Sequence, residues 1–306
     1  MNTNELIQEI KNNKTSGASE LMIKAIKCIS TFSEAFNAET IEKYHKGMVA
    51  FGRQLVDTQP SMAPLFYAVN KVLLVVENEV KRGRGLQEIK NAIKSASDEL
   101  LANSKNAITK IKKQVANLIE EGCTILTHSY SSTVIQSLIF AHQEGKGIVV
   151  IITESRPLFE GRRTAGILAE NGIRAVLIAD MASFHFLDDV DIILTGSDCI
   201  CHNGVVNKIG TKGIAIAASQ YGIPFYVLSE KSKFLPSKYM DEPLIEEKEG
   251  REILEDAGDT EVKNIYFDIT PHRFYKGVIT EDGEVEGNEV QAILAQLEVC
   301  KGLIGK

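Results

Sequence analysis

The chain has 306 residues, 44% hydrophobic and 25% charged, with 34 Lys and Arg against 41 Asp and Glu for a formal net charge of −7. These proportions exclude a disordered or fibrous chain, and the length allows two domains or one large α/β unit. The acidic balance argues against a generally basic surface, so no direct nucleic-acid binding is expected.

The opening stretch, Met1–Lys14, has no apolar signal core. No apolar run approaches the roughly 20 residues that span a bilayer, so a cytoplasmic chain with no membrane partner is expected. Up to residue 121 the chain reads as helices only. Apolar residues recur at spacings of three and four in Leu21–Ile29, Phe66–Val76 and Ile108–Ile119, with polar turns near Asn12–Gly17 and Asp57–Pro60. Gly122 supplies the stop.

From residue 123 the rhythm changes. Short runs rich in β-branched residues predict strands at Thr124–Thr127, Ile148–Thr153, Ala175–Ile178, Ile192–Leu194, Phe225–Leu228 and Ile265–Ile269. Helical patterns fall between them at Ser132–Gln143, Arg163–Glu170, Met181–Leu187 and Gly213–Gln220. Strands apolar on both faces and joined by helices predict a parallel sheet covered on both sides. The fold class is therefore α/β, with a helical domain over 1–121 and a Rossmann-like domain over 122–306.

Parallel sheets bind ligands beyond the carboxyl ends of their strands, which directs attention to the residues there. After the first strand comes Thr127-His128-Ser129-Tyr130-Ser131-Ser132. After the second come Glu154-Ser155-Arg156-Pro157 and Glu160-Gly161-Arg162-Arg163. After the fourth comes Gly196-Ser197-Asp198, then Asn203-Gly204 and Asn207-Lys208-Ile209-Gly210-Thr211. Hydroxyls, arginines, a lysine and glycines running into helix N-termini are what a phosphate group needs. Neither a dinucleotide fingerprint nor a P-loop is present. Ser131 and Ser132 also suit a capping role, and His128 suits a structural role as well as a chemical one.

Five cysteines, Cys28, Cys123, Cys199, Cys201 and Cys300, form no repeated pair spacing and read as reduced thiols. Cys199-x-Cys201-His202 lacks a second ligand pair at zinc-site spacing, so no metal is expected there.

The Glu154-Ser155-Arg156-Pro157, Glu160-Gly161-Arg162, Gly196-Ser197-Asp198 and Asn207-Lys208-Ile209-Gly210-Thr211 segments together resemble one family. It joins the α, β and δ subunits of translation initiation factor 2B to isomerases of 5-methylthioribose-1-phosphate and ribose-1,5-bisphosphate. The resemblance runs over nearly the whole chain, to Asp268-Ile269-Thr270-Pro271 and Val278–Gly283. It implies a helical N-terminal domain, a Rossmann-like C-terminal domain, a phosphosugar cleft between them, and no cofactor. It also implies a homodimer or larger homo-oligomer formed through the C-terminal domain, and a translation-factor partner.

The resemblance further assigns roles. The isomerases pair a catalytic Cys with an Asp; the Asp matches Asp198, and the Cys position holds Ser129. Arg156, Arg162, Asn207, Lys208 and Ser131 are expected to bind the ligand, a sugar phosphate or nucleotide monophosphate. Gly17 and Ala18 join them, although Ser16 stands where the isomerases carry an arginine, and Gln59-Pro60-Ser61 replaces an Arg-Pro-Thr segment. An isolated serine hydroxyl cannot accept a proton at neutral pH as a tuned thiol can. On that ground the expected function is a non-catalytic, α-subunit-type regulatory protein. The alternative is an aldose–ketose isomerase of ribose-1,5-bisphosphate type with Asp198 as acid/base.

Overall fold

The computed structural model describes residues 3–12 and 18–304. The N-terminal part is helical: α1 (Thr3–Asn12), α2 (Ala18–Ala35), α3 (Ile41–Val56), α4 (Ala63–Lys81) and α5 (Leu86–Leu118). In α3 the buried residues Tyr44, Met48, Phe51 and Leu55 keep the spacing of four, three and four that puts them on one face. Thr40 caps this helix by accepting a hydrogen bond from the Lys43 amide. In α4 a proline sits in the first turn, where its missing N–H costs nothing, and Phe66, Val69, Leu73 and Val76 are buried. The expected turn at Asp57–Pro60 falls between these two helices. Among the described residues no helix is long and apolar enough to cross a membrane.

The second part alternates strands and helices. In chain order it runs β1 (Thr124–Thr127), α6 (Ser132–Gln143), β2 (Val149–Thr153), α7 (Glu160–Glu170), β3 (Arg174–Ile178), β4 (Ile192–Thr195), β5 (Cys199–Cys201), β6 (Gly204–Lys208) and α8 (Thr211–Tyr221). Then come β7 (Phe225–Leu228), β8 (Glu247–Lys248), β9 (Asn264–Ile265), β10 (Phe267–Thr270), β11 (Gly277–Thr280), β12 (Gly283–Glu286) and α9 (Val290–Gln296). The main sheet has the order β12-β11-β7-β4-β1-β2-β3, parallel except for β12. Ranked by position in the chain, its first six strands lie 3-2-1-4-5-6, the doubly wound order, and the order reverses between β1 and β4. Strand residues Ile125, Val150, Ile152 and Leu194 pack with Val134 and Leu138 of α6 and with Ile111 and Val115 of α5. The fold is therefore the expected α/β class, helices first and a parallel sheet after.

The described chain divides into two compact units. One comprises the residues up to Asn106 with Ser232–Pro243 and the segment from Ala292; the other comprises Ala107–Lys231 and Leu244–Gln291. Within the first, the Asn70 side chain donates to the Glu298 carbonyl and accepts from the Cys300 amide, both at 2.8 Å, so one buried amide ties the returning segment to α4.

Three local expectations change. Ile265–Ile269 does not form a strand of the main sheet. It breaks at Tyr266 into β9, paired with β8, and β10, antiparallel to β6 in a three-stranded sheet β10-β6-β5. Met181–Leu187 lies within a run of 3-10 turns over Asp180–Asp189 and not in an α-helix. Residues 199–208, where no strand is predicted from the sequence, form a β5–β6 hairpin with Cys199, Cys201 and Val206 buried.

Candidate functional site

The site residues of the sheet unit come from the carboxyl ends of β1, β2, β4 and β6. Where β1 ends, Thr127 and His128 are buried and Ser129 takes φ +70, in the left-handed region. Where β2 ends, Ser155 and Phe159 also take positive φ, +63 and +60. These three are the non-glycine residues with positive φ among the described residues, and all lie in two adjacent loops. Left-handed backbone at a residue with a side chain stores strain that surrounding contacts must hold, and such strain gathers at ligand sites.

The contacts are specific. The Ser129 amide donates to Ser155 Oγ at 2.8 Å, and the Ser129 carbonyl accepts from Thr164 Oγ1 at 3.0 Å. Asp180, just after β3, accepts from the Ser155 amide at 2.6 Å and the Arg156 amide at 2.8 Å. The next bond, Arg156–Pro157, is cis. The Ser129 hydroxyl has no hydrogen-bond partner among the described residues, so it is available to a ligand.

His128 takes a structural role. One ring nitrogen meets Thr153 Oγ1 at 2.5 Å and the other meets the Ile209 carbonyl at 2.9 Å, joining the ends of β1 and β2 to the turn after β6. Burial pushes its pKa below the ordinary histidine value. With both nitrogens committed and the ring neutral, it cannot also carry protons for Ser129.

At the reversal of strand order the loops after β1 and β4 touch. A Cβ on Gly196 would meet Ser131 Oγ at 2.5 Å, so only glycine fits there. Ser131 caps α6, its hydroxyl accepting from the Val134 amide. Two residues on, the Asp198 amide donates to the Val206 carbonyl at 2.9 Å, tying Asp198 to the β5–β6 hairpin that carries Asn207 and Lys208. The structure thus brings Ser129, Ser131, Arg156, Asp198, Asn207 and Lys208 to linked strand ends.

The cations differ in availability. The Lys208 side chain is 4% exposed, pairs with Glu160 at 2.8 Å and lies over the Tyr266 ring at 4.6 Å. Arg162 pairs with Glu154 at 2.8 Å and stacks on Phe159 at 3.8 Å. Arg156 is exposed, stacks on the same ring at 4.8 Å, and donates to the Ile253 carbonyl. The Asn207 amide donates to Thr211 Oγ1 at 3.0 Å. Among these cations Arg162 and Lys208 are paired with carboxylates, whereas Arg156 is exposed and pairs with none among the described residues. Gly17 lies outside the described residues; Ala18 is the first residue of α2.

Three residues beyond the sequence reading complete the arrangement. Phe159 is the plate under two guanidinium groups, and Asp180 holds the Ser155–Arg156 backbone. Asp268 accepts from the Gly210 and Lys212 amides at the start of α8. That helix end is thus already occupied by a carboxylate of the chain itself. Burial pushes the Asp268 carboxyl up to about 6, against those amide bonds. Asp180 and Phe159 lie in loops that the strand-end rule covers, whereas Asp268 carries no such mark.

The Initiation factor 2 subunit family model matches residues 14–287. A ribose 1,5-bisphosphate isomerase of Methanocaldococcus jannaschii is 34% identical over 91% of this chain and 90% of its own length. A putative translation initiation factor eIF-2B subunit 2-like protein of Pyrococcus furiosus is 32% identical over 91% of this chain and 94% of its own. The crystal structure of the Pyrococcus horikoshii translation initiation factor eIF-2B superposes with a TM-score of 0.77 at 30% identity, covering 93% of this chain and 96% of that one. The isomerase name recurs on relatives from Archaeoglobus fulgidus, Thermococcus kodakarensis and Haloferax volcanii. That recurrence overturns the expectation of a non-catalytic regulator, which rested on the missing thiol at Ser129, and favours the isomerase alternative. By a match spanning residues 14–287, the chain belongs to the Initiation factor 2 subunit family.

Proposed function

We propose that this protein is an aldose–ketose isomerase acting on a 1-phosphorylated pentose of the ribose 1,5-bisphosphate type. The observation that carries the reading is the set of relatives bearing that name, aligned over about nine-tenths of the chain. The chemistry asks little of the protein. The furanose ring opens, one hydrogen passes from C2 to C1, and the C2 hydroxyl becomes a carbonyl. The C2 hydroxyl must lose a proton, and the ring oxygen must gain one as its bond to C1 breaks. One base and one acid are therefore required, held on either side of C1–C2.

Asp198 is assigned as the base for the C2 hydroxyl. Its place at the reversal of strand order supports this, since ligands of such sheets bind there. Ser129 is assigned to the ring oxygen. Its hydroxyl, without a partner among the described residues, donates a hydrogen bond without carrying a charge, a weaker acid than the thiol that stands there in the isomerases. Arg156 is assigned to a phosphate through charge-assisted hydrogen bonds, with Arg162, Lys208, Asn207 and Ser131 around it. The active species is assigned as a homodimer or larger homo-oligomer, symmetric dimers being the commonest assemblies.

Incubation with ribose 1,5-bisphosphate, following the C2 ketone carbon by NMR, tests the activity. Formation of ribulose 1,5-bisphosphate at enzymatic rates is expected; binding without turnover would remove the isomerase reading. Light scattering at micromolar concentration tests the assembly, and a monomer would reject it.

A further inference from the structure

A cavity of about 990 Å³ opens within the helical unit, lined by α1, α3, α4 and the segment around Gly302. Nothing in the isomerase reading uses it. Ile7, Val49, Ala50 and Val80 give it an apolar lining, and five cations also line it: Lys11, Lys46, Arg53, Lys81 and Lys301. Two carboxylates, Asp57 and Glu77, share the lining, so its formal balance is +3 in a chain of net −7. Of these, Glu77 is committed to the Cys300 thiol and the Lys301 amide, and Lys46 shares its charge with Glu42.

The returning segment marks the cavity as built. Gly302 approaches α3 so closely that a Cβ there would meet Val49 Cγ1 at 2.4 Å, and its carbonyl accepts from Arg53 Nε. The wall made by the returning segment thus depends on a missing side chain and on a guanidinium held in place. His45 also lines the cavity, so its ring reports on anything bound there. The volume is that of a small-molecule pocket, and an apolar lining with a few convergent polar groups is what such pockets have.

We infer that this cavity is a second ligand site, taking a small organic anion with an apolar body and a phosphate or carboxylate head. The body packs on Val49, Ala50 and Val80 beside the His45 ring, and the head meets Lys81, Lys301 and Arg53. The inference is independent of the isomerase reading, since none of the lining residues is assigned to the sugar phosphate.

Phenyl phosphate is the probe, with benzyl alcohol as its neutral counterpart. The readout is the His45 ring resonance in a proton–carbon NMR spectrum of the intact protein, assigned with His45→Gln. That signal should move saturably with phenyl phosphate and stay still with benzyl alcohol at the same concentrations. Lys81→Glu with Lys301→Glu should weaken the response by about tenfold or more, because the attraction changes sign. Ala50→Trp, at an exposed position, should abolish it by filling the cavity. Since the charge-reversed residues are exposed, that variant keeps the test decisive if Ala50→Trp does not fold. A His45 signal that ignores phenyl phosphate overturns the inference, as does an equal response to benzyl alcohol or an unchanged response in the charge-reversed protein. Binding that leaves His45 unmoved places the probe elsewhere and overturns it too.

Discussion

The two units bury polar side chains for different purposes. In the helical unit, Ser33, Asn70 and Ser97 are buried among helices, and the first two serve the fold directly. Ser33 meets the Tyr44 hydroxyl at 2.8 Å, and Asn70 holds the returning segment by its backbone. In the sheet unit, Thr127, His128, Ser129, Thr153, Ser155, Thr195, Ser197, Asn207 and Lys208 are all buried, each at or just past a strand's carboxyl end. Burying a polar group costs free energy unless it is partnered, so a cluster is retained only where its contacts are used. Here they hold the loops after β1 and β2 in left-handed turns and leave the Ser129 hydroxyl without a partner among the described residues. One unit spends its buried polar groups on assembly, the other on holding a surface in one shape.

The largest expected effect sharpens that contrast. Asp198→Asn should lower turnover of ribose 1,5-bisphosphate by about 10²–10⁴-fold, the worth of a positioned acid or base. Its melting temperature should stay close to that of the wild type. Retained turnover would remove Asp198 from the chemistry.

Leu73→Ala is the opposite experiment. Leu73 is fully buried in the helical unit, so its loss should cost about 2–5 kcal/mol in urea unfolding. Activity per folded molecule should be preserved at low temperature. A loss of activity larger than the loss of folded protein would break the division of labour drawn above.

Asp268 gives a pH signature confined to the sheet unit. Its pKa is raised to about 6 by burial, so the folded state binds its proton more tightly than the unfolded chain does. The stability it adds is fully present below about pH 4 and lost as pH rises through about 6, a contribution of order 2 kcal/mol. His128 slopes the other way: its lowered pKa removes stability as pH falls through the ordinary histidine range. Urea unfolding of Asp268→Asn from pH 4 to 7 should isolate the first slope. Wild type and variant running parallel across that window would contradict it.

The smallest effect concerns Ser129. Ser129→Cys places a more acidic proton donor where the ring oxygen is proposed to be protonated, and turnover should rise about tenfold. No change, or a decrease, would show that the hydroxyl acts only through its geometry.

Much of this architecture was legible in the residues. The four-three-four spacing in α3 and the β-branched runs of β1 and β2 each match one period, so local pattern and tertiary use agree. The strand-end motifs were legible because a parallel sheet places all its carboxyl ends on one side, whatever the loops do. The β5–β6 hairpin had a signal, Asn203-Gly204 between apolar runs, that was absorbed into the ligand motif instead. The break at Tyr266 had none, because nothing local distinguishes one five-residue apolar strand from two short ones in different sheets.

The sequence alone therefore determined the period of each element, the class of fold and the residue types at the strand ends, because these depend on neighbours a few positions away. The tertiary structure decided which of those residues remain available. Lys208 is taken up by Glu160, His128 by Thr153 and the Ile209 carbonyl, and the start of α8 by Asp268. It also decided that a glycine at 302 closes one wall of a cavity in the helical unit. Those outcomes rest on contacts between residues tens to hundreds of positions apart, where no periodicity can reach, and each is settled by which partner satisfies a buried charge or donor first.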